Sequence, residues 1–344
     1  MAESVGIAVV GTGDWGANLV RNFASLPGCR LAALHDSDPQ RLRKAAAQYP
    51  GARAVDSLQG LLGPEVEAAV VAASAVSHHD LAKTLLENGK DVFVEKPLAL
   101  SVAHAEDLVR VARERGRILM VGHLLLFHPA VRYLKGMVER GELGELFYIY
   151  SQRVNLGKVR RDENALWSFA PHDLSVVLHL LGEEPVDVVA RGSAFLQGSI
   201  EDVVFVDLRF PGGRLAHVHV SWLDPHKLRK FTVVGSRKMV VFDDMEASEK
   251  VKVYDKGVDR VGEVVSYGDA LTVRSGDILI PKISLQEPLR LECQHFVECV
   301  RERRTPLTDG ISGLQVVRVL AAAQASLERG GAPIRLARAG QEAS

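Results

Sequence analysis

The chain of 344 residues is 47% hydrophobic and 25% charged, a composition typical of a soluble globular protein with more than one domain. Its 42 lysines and arginines nearly balance 43 aspartates and glutamates, so no overall field favours nucleic acid or a membrane surface. The three cysteines, Cys29, Cys293 and Cys299, are too sparse for a disulfide framework or a metal site. They predict reduced thiols in a cytoplasmic protein.

Strands and helices alternate along the first part of the chain. Apolar runs predict strands at Ile7–Val10, Leu31–Leu34, Ala68–Ala73, Val92–Val94 and Ile118–Val121. Helical patterns lie between them at Pro39–Gln48, His79–Glu87 and Ala103–Arg115. This alternation predicts a parallel sheet covered on both faces. No run approaches the length of a membrane-spanning helix, and the acidic start of the chain is unlike a signal peptide.

The rhythm changes from about Leu146. Strand candidates follow closely at Phe147–Val154, Val186–Gly192, Val203–Phe210, Leu215–Trp222, Phe231–Phe242 and Val251–Tyr254. Helical stretches lie at Ser168–Leu181, Leu289–Arg303 and Gly313–Leu327. Polar and apolar residues alternate in several strands, which is typical of an antiparallel sheet with one covered face.

The predicted fold class is α/β with two domains. An N-terminal Rossmann dinucleotide-binding domain covers 1–125. An α+β domain with a mostly antiparallel, open-faced sheet covers 126–336 and serves substrate binding and oligomerisation, and 337–344 is a frayed tail. In Phe231–Val234 and Met239–Phe242, apolar residues fall on both faces of the strand. We therefore expect the open face of the sheet to be buried against another subunit, in a homodimer or homotetramer.

A dinucleotide-binding loop is predicted where the first strand meets its helix. Gly11, Gly13 and Gly16 form G-x-G-x-x-G, with Thr12, Asp14 and Trp15 between them as further cofactor-binding candidates. The helix beginning near Asp14 would point its N-terminus at a pyrophosphate.

Asp36 ends the next strand, where a carboxylate binds the ribose hydroxyls and favours NAD over NADP. Asp36 could instead cap the helix at Asp38-Pro39, or serve both roles. Arg41 lies nearby in the sequence and could bind the phosphate of NADP.

A second feature lies at the carboxyl edge of the same sheet, where ligands of open α/β sheets bind. The strand Val92–Val94 runs into Glu95-Lys96-Pro97, which places a cation at that edge. Ser74 and His78 follow the preceding strand and are cofactor-binding candidates, together with Glu95 and Lys96. Of His78 and His79, one is expected to pack near the nicotinamide rather than react. A lysine at a strand end is otherwise most often a solvated surface charge.

At these residues the sequence resembles the glucose–fructose oxidoreductase, inositol dehydrogenase and rhizopine-catabolism family (Gfo/Idh/MocA) over nearly its whole length. The resemblance rests on the glycine loop, Glu95-Lys96-Pro97, Phe127-His128-Pro129, and Pro171-His172 ahead of Leu180-Leu181-Gly182. It implies that Lys96 hydrogen-bonds the reacting hydroxyl and that His172 lies beside it.

Many members of that family carry an aspartate four residues before this histidine, where the present chain has Ser168. The usual pair of aspartate and histidine is therefore incomplete in this chain. A histidine suits a general base because its side chain ordinarily titrates near neutral pH. Lys96 can stabilise an alkoxide as hydride leaves. His172 could instead make only a structural bond at a helix N-terminus.

The stretch from Arg153 to Asp173 resembles a branch of the family that acts on nucleotide sugars, as do Gly122-His123, Ser221–Pro225 and Glu287–Leu289. Members of that branch oxidise the C3 hydroxyl of UDP-N-acetylglucosamine or its uronic acid. Arg153, Lys158, Arg160 and Arg161 suit a diphosphate. The substrate-binding candidates are His123, Arg153, Asn155, Arg160, Arg161, Asn164, Trp167, Ser168, His172 and Asp173. Arg160–Glu163 could equally be a salt-bridged surface loop.

The sequence therefore predicts an oxidoreductase that uses NAD, and less readily NADP, to oxidise a secondary hydroxyl of a nucleotide sugar. A dehydrogenase of free polyols such as inositol is the alternative enzyme. A non-catalytic NAD-binding regulator is the alternative of another class. Neither charge nor motif supports a nucleic-acid or membrane partner, so the expected partners are a small sugar substrate and further copies of the chain.

Overall fold

The computed structural model describes residues 4–157, 159–260 and 271–336. Contacts between residues divide the chain into two compact units. The first contains Met1–Phe127 and Gln286–Arg318, and the second contains His128–Leu285 and Val319–Ser344. The first unit is thus built from two separate stretches of the chain. The frayed tail predicted at 337–344 lies outside the described residues.

The first unit holds a six-stranded parallel sheet of order β3-β2-β1-β4-β5-β6. Its strands are β1 (Val5–Val10), β2 (Cys29–His35), β3 (Arg53–Ala54), β4 (Ala68–Val71), β5 (Asp91–Val94) and β6 (Leu119–Val121). Its helices are α1 (Gly16–Ser25), α2 (Pro39–Gln48), α3 (His78–Glu87) and α4 (Val102–Glu114). β1, β4 and β5 are completely buried, because a parallel sheet is covered on both faces. The predicted Rossmann sheet is confirmed.

The helix α7 (Pro288–Glu302) also belongs to the first unit. The Phe296 ring packs 6.4 Å from the Phe23 ring of α1 and 5.6 Å from the Phe93 ring of β5, measured between centroids. The sequence prediction placed this helix in the second domain because it follows the antiparallel strands along the chain. Its buried aromatic face groups it with the first unit instead.

The second unit holds a nine-stranded sheet of order β14-β13-β12-β11-β7-β10-β9-β8-β15. Its strands are β7 (Leu146–Val154), β8 (Asp187–Ser193), β9 (Val203–Arg209), β10 (Leu215–Ser221), β11 (Leu228–Gly235), β12 (Met239–Asp243), β13 (Val251–Arg260), β14 (Leu271–Leu279) and β15 (Ile334–Arg335). Its helices are α5 (Pro129–Glu139) and α6 (Ala165–Leu181). β7 and β10 pair in parallel, and the remaining pairs are antiparallel.

Two features of this sheet differ from the prediction. The single strand expected at Phe231–Phe242 is a hairpin of β11 and β12, in which Val234 pairs with Met239. The chain turns there because the amides of Ser236 and Arg237 bond to the carbonyls of Glu145 and Leu143, at 2.8 and 2.9 Å. The structure also contains β14, which no apolar run indicated, as the antiparallel partner of β13.

The last long helix, α8 (Gly310–Glu328), is the one helix within the described residues with the length and apolar composition of a membrane span. No such helix was predicted from the sequence. Of its most apolar window, 56% is buried inside the protein. Core helices of soluble proteins have the same composition, and Val317, Val319, Leu320 and Ala323 are among its buried side chains.

Candidate functional site

The glycine loop between β1 and α1 has the backbone geometry that a dinucleotide needs. Gly11 has a φ of +93°, and a Cβ on it would lie 2.6 Å from the carbonyl oxygen of Ala72. A Cβ on Gly16 would lie 1.9 Å from the carbonyl oxygen of Gly11, so helix and strand touch there. At Gly13 the nearest atom to a built Cβ is an Arg41 nitrogen at 3.4 Å, which leaves the loop backbone open to a ligand. The three glycines therefore fit a bound pyrophosphate.

The Asp36 carboxylate braces this loop. Its Oδ2 accepts hydrogen bonds from the Thr12 amide at 2.6 Å and the Thr12 hydroxyl at 3.0 Å, and its Oδ1 accepts from the Asp38 amide at 2.8 Å. Burial alone would raise the pKa of Asp36, but the bonds from Asp38 and Thr12 and the charge of Arg41 lower it below its usual value. Asp38 rather than Asp36 caps α2, by accepting from the Gln40 amide. Asp36 is therefore an ionised carboxylate at the end of β2, as ribose recognition requires.

We expect NAD to bind more tightly than NADP, because the Asp36 carboxylate accepts ribose hydroxyls and repels a 2′-phosphate. Titration of both cofactors followed by tryptophan fluorescence or calorimetry measures the preference. Asp36→Ala should narrow the difference, whereas Arg41→Ala, which removes the nearby cation, should leave NAD ahead. Tighter binding of NADP to the unmodified protein would contradict the assignment of Asp36 to the ribose.

Lys96 follows β5 at the carboxyl edge of the sheet and is half-buried. Its neighbour Glu95 is buried and accepts a hydrogen bond from the Trp15 indole Nε1 at 2.5 Å and another from the Lys96 amide at 3.2 Å. Trp15 belongs to the glycine loop, and its side chain is partly exposed. The bond between Trp15 and Glu95 therefore connects the dinucleotide loop to the residue beside the predicted catalytic lysine.

His78 contacts the backbone of the turn that follows Lys96. Its Nδ1 lies 2.8 Å from the carbonyl oxygen of Pro97, and its Nε2 lies 3.2 Å from that of Ala73. Burial lowers the pKa of His78, so the neutral ring has a single N–H to donate. With 1% of its surface exposed, His78 holds the backbone after Lys96 and is not open to a nicotinamide. His79, whose side chain is 15% exposed, instead contacts Asp80 and Asp107, and Ser74 is exposed beyond the end of β4.

Two further titratable side chains lie buried in this unit. Burial, followed by the neighbouring Glu95 charge, raises the pKa of Glu292 on α7 well above its usual value. Burial, followed by the Lys96 charge, lowers the pKa of His123 to about 3. His123 is 1% exposed and neither of its ring nitrogens has a hydrogen-bond partner. His123 was predicted to bind sugar, but the structure makes it a neutral, buried ring influenced by Lys96.

In the second unit, the predicted substrate residues surround the start of α6. Asn164 caps this helix: its Oδ1 accepts from the Trp167 amide at 3.1 Å, and its Nδ2 donates to Glu201 at 2.7 Å and Gln324 at 3.0 Å. These bonds occupy both amide hydrogens. Asn164 was predicted to bind the substrate, and the structure gives it the role of a helix cap instead.

Arg153 and Asp173 form a buried ion pair. The Arg153 Nε donates to Asp173 Oδ2 at 2.5 Å, and the two side chains are 9% and 0% exposed. Burial raises the pKa of Asp173, and the charge of Arg153 opposes the rise. Both were predicted to contact the substrate. The structure places them inside the unit, where they fix the turn of α6 that carries His172 against β7.

The remaining candidates lie on α6 and on the loop that leads into it from β7. His172 is half-buried, Ser168 is buried one turn earlier, and Trp167 and Asn155 are half-buried. Arg160 and Arg161 are exposed, and the Arg160 Nε pairs with Glu163 at 2.9 Å. Lys158 lies outside the described residues. The structure thus keeps Arg161 in solvent and gives Arg160 a surface partner that an anionic ligand could replace.

Two further titratable residues, one in each unit, were not predicted from the sequence. Glu292 lies three residues after Leu289 and four before Phe296 on α7. This helical spacing puts it on the apolar face of α7 and predicts that it is buried. Arg229 lies two residues before the buried Phe231 and four before the buried Val233 on β11. Residues spaced by two share a face of a strand, so this spacing predicts that Arg229 lies on the covered face of the sheet.

The comparisons with known proteins agree with this architecture. A family model described as an oxidoreductase family with an NAD-binding Rossmann fold matches residues 5–123, and a model described as the GFO/IDH/MocA C-terminal domain matches residues 131–241. A 2,7-anhydro-N-acetylneuraminate hydratase from Mediterraneibacter gnavus is 30% identical over 230 residues, which cover 62% of this chain and 60% of that protein.

Two relatives match over nearly their whole length. UDP-N-acetylglucosamine 3-dehydrogenase from Acidithiobacillus ferrooxidans is 25% identical over 93% of this chain and 98% of its own. Its solved structure shares the fold, with a TM-score of 0.81 at 24% identity over 95% of this chain and 98% of that one. scyllo-Inositol 2-dehydrogenase (NAD(+)) from Bacillus subtilis is 26% identical over 98% of this chain and 97% of its own.

Proposed function

Since this chain belongs to the Gfo/Idh/MocA family of NAD-binding oxidoreductases, we propose that it oxidises the C3 hydroxyl of a nucleotide sugar such as UDP-N-acetylglucosamine to the ketone. The observation that carries this proposal is the cationic loop between β7 and α6. Its exposed Arg160 and Arg161 are tethered between the strand of Arg153 and the helix of His172. A diphosphate explains this concentration of positive charge in a protein of net charge -1. The full-length match to a UDP-N-acetylglucosamine 3-dehydrogenase supports the same substrate class.

The proposed chemistry assigns separate tasks to two side chains. Lys96 polarises the reacting hydroxyl and stabilises the alkoxide, while His172 accepts the hydroxyl proton. NAD, when bound at the glycine loop, supplies the acceptor for the hydride. His78, through the Pro97 carbonyl, and Glu95, through the Lys96 amide, fix the backbone around Lys96. The Arg153–Asp173 pair fixes the turn of α6 that carries His172. Ser168 can orient His172 or the sugar but cannot replace a charged partner.

A substrate panel tests the proposal. UDP-N-acetylglucosamine, its uronic acid and scyllo-inositol are each mixed with NAD and followed by NADH absorbance. We expect turnover of a UDP-sugar. Changing Arg160 and Arg161 together to alanine should raise its KM far more than it lowers kcat, because a diphosphate contact is equally present in ground and transition states. Arg140→Ala, which removes an exposed arginine paired with Glu142, is the matched control and should leave KM unchanged.

A free polyol is the second candidate, because the chain also matches a scyllo-inositol 2-dehydrogenase over nearly its whole length. Turnover of inositol with no activity on any UDP-sugar would establish this alternative. It would also reduce Arg160 and Arg161 to surface charges, since an uncharged polyol has no group that requires them.

We also propose that the enzyme is a homodimer or homotetramer assembled through the open sheet face, the face opposite α6. Exposed side chains on this face are Tyr148 and Tyr150 of β7, Phe205 of β9 and Leu215 of β10, and His217 and His219 of β10 are half-buried beside them. The Phe205 ring stacks 4.4 Å from the His219 ring, and Tyr148 stacks 6.2 Å from Tyr150. Soluble monomers rarely expose contiguous aromatic patches of this kind.

Light scattering at micromolar concentration should therefore give the mass of a dimer or a tetramer. Changing Tyr150 and Phe205 together to glutamate should yield monomers, because both charges would be buried in the interface. Phe195→Ser removes an aromatic side chain that is 71% exposed outside the sheet, and it should leave the mass unchanged. A monomeric mass for the unmodified protein would defeat the proposal.

A cytoplasmic location completes the proposal. Cys29, Cys293 and Cys299 are free thiols, and burial raises the pKa of each. Free thiols, two of them buried, suit a reducing compartment.

A further inference from the structure

The side chain of interest is Arg229, near the start of β11. β11 runs antiparallel to β7, and Arg229 lies directly opposite Arg153 in their register. Along β11, Arg229 shares a face with Phe231 and Val233, which are 1% and 0% exposed. Lys230, the next residue, belongs to the other face. Arg229 is therefore on the covered face of the sheet, beside the buried Arg153–Asp173 pair.

These two neighbouring arginines differ in how the protein holds them. Arg153 is buried and bonded to Asp173, whereas the Arg229 side chain is 42% exposed. Its Nη1 lies 3.6 Å from Asp244 Oδ2, which is longer than a hydrogen bond. Asp244 Oδ1 also lies 3.6 Å from both His128 Nε2 and Lys250 Nζ. The Asp244 carboxylate thus lies 3.6 Å from each of three basic side chains. The donors of the Arg229 guanidinium are therefore available to a ligand.

Arg229 also lies close to the turn that carries His172. Burial raises the pKa of Asp173. Arg153 opposes this rise, and the charge of Arg229 opposes it more weakly. Asp173 directly follows His172 in α6. The Arg229 charge therefore acts on the residue that directly follows the predicted proton acceptor in the chain.

The segment that leads into β11 adds further positive charge. Lys227 is exposed just before the strand. Leu228 pairs with Val154, the last residue of β7, so this basic segment runs beside the start of the loop that contains Arg160 and Arg161. Two chain segments distant in sequence thus bring cations to one end of the sheet.

We propose that Arg229 is a specificity-determining residue that binds an oxyanion of the substrate, either a phosphate or a sugar carboxylate. This inference rests on the proposed function, because a nucleotide sugar supplies such an oxyanion and a free polyol does not. The planar guanidinium presents paired N–H donors that match two oxygens of a carboxylate or phosphate. The contact is made in the ground state and kept in the transition state, so it acts on substrate affinity.

The test compares Arg229→Met, Arg229→Lys and the matched control Lys230→Met, which removes a cation from the opposite face of the same strand. Binding of UDP-N-acetylglucosamine and of UDP-N-acetylglucosaminuronate is measured by calorimetry, and their turnover is measured with NAD. Arg229→Met should weaken binding and raise KM by on the order of 10–100-fold, with kcat nearly unchanged. Arg229→Lys should fall between, because it keeps the charge and loses the fork, and Lys230→Met should match the unmodified enzyme.

The outcomes separate the possible sources of the oxyanion. Weaker binding of both UDP-sugars assigns Arg229 to the diphosphate, and weaker binding of the uronate alone assigns it to the carboxylate. Equal affinity in Arg229→Met and the unmodified protein, with melting temperature and NAD affinity also unchanged, overturns the inference while leaving the proposed function intact. UDP-sugars that bind through Arg229 without being oxidised would overturn the proposed function instead. Failure of the unmodified protein to bind either UDP-sugar would overturn both.

Discussion

Replacing Lys96 or His172 with alanine should lower kcat by about 10²–10⁴-fold while leaving NAD affinity almost unchanged. Lys96 is half-buried after β5, braced by the bonds of Glu95 and His78 around its turn. Without its ammonium group, the alkoxide that forms as hydride leaves loses its electrostatic partner. Without the His172 imidazole, the hydroxyl proton loses its acceptor. Steady-state kinetics with the preferred UDP-sugar, together with NAD titration, measures both effects.

Two further variants serve as controls. Ser168→Ala, one turn before His172, should have a smaller effect, because a hydroxyl can orient a neighbour but carries no charge. His79→Ala removes a histidine that contacts Asp80 and Asp107, and it should leave kcat unchanged. Full activity in His172→Ala would show that the proton leaves through another group, with Lys96 or a bound water as the next candidates.

Arg153→Met should destabilise the protein by about 3–5 kcal/mol, because it leaves the carboxylate of Asp173 buried without its partner. The Asp173 side chain is 0% exposed, and its Oδ2 accepts a hydrogen bond from Arg153. Calorimetric melting should show a large fall in melting temperature. Arg161→Met changes an exposed arginine of the following loop and should shift stability by less than about 0.5 kcal/mol.

A double variant separates a structural role from a substrate contact. Arg153→Met combined with Asp173→Leu removes both charges and should recover much of the lost stability, because no unpaired charge then stays buried. If Arg153→Met instead melts like the unmodified protein and only raises KM, Arg153 binds the substrate, as the sequence alone suggested.

The first unit was readable from sequence because its signals are local. Each buried strand is a short apolar run, and Gly11, Gly13, Gly16 and Asp36 stand at fixed offsets from strand ends. The observed β1, β2 and α2 accordingly match the predicted elements closely. α7 was assigned to the second domain because its membership of the first unit depends on Phe296 meeting Phe23 and Phe93, a contact between residues far apart in sequence.

The individual site residues were harder to predict, because a polar residue in a motif can be used in more than one way. Asn164 and Arg153 carry hydrogen-bond donors that suit a sugar or a phosphate equally well. Only tertiary structure shows that Asn164 caps α6 and that Arg153 meets the buried Asp173. Conversely, Arg229 lies in no motif, and its position follows from the register between β11 and β7. Pairing across a sheet is the information that a single sequence supplies least.

The discontinuity of the first unit has a consequence for synthesis on the ribosome. The strands and helices up to Phe127 emerge first, but the α7 side chains that pack against Phe23 and Phe93 are made only after the whole segment His128–Leu285. At bacterial or eukaryotic elongation speeds, that delay is roughly 8–30 s. During this interval the nascent chain displays the apolar surface that α7 will cover. A chaperone that shields apolar surface should therefore engage the nascent chain between these two points, and release it once Phe296 has left the exit tunnel.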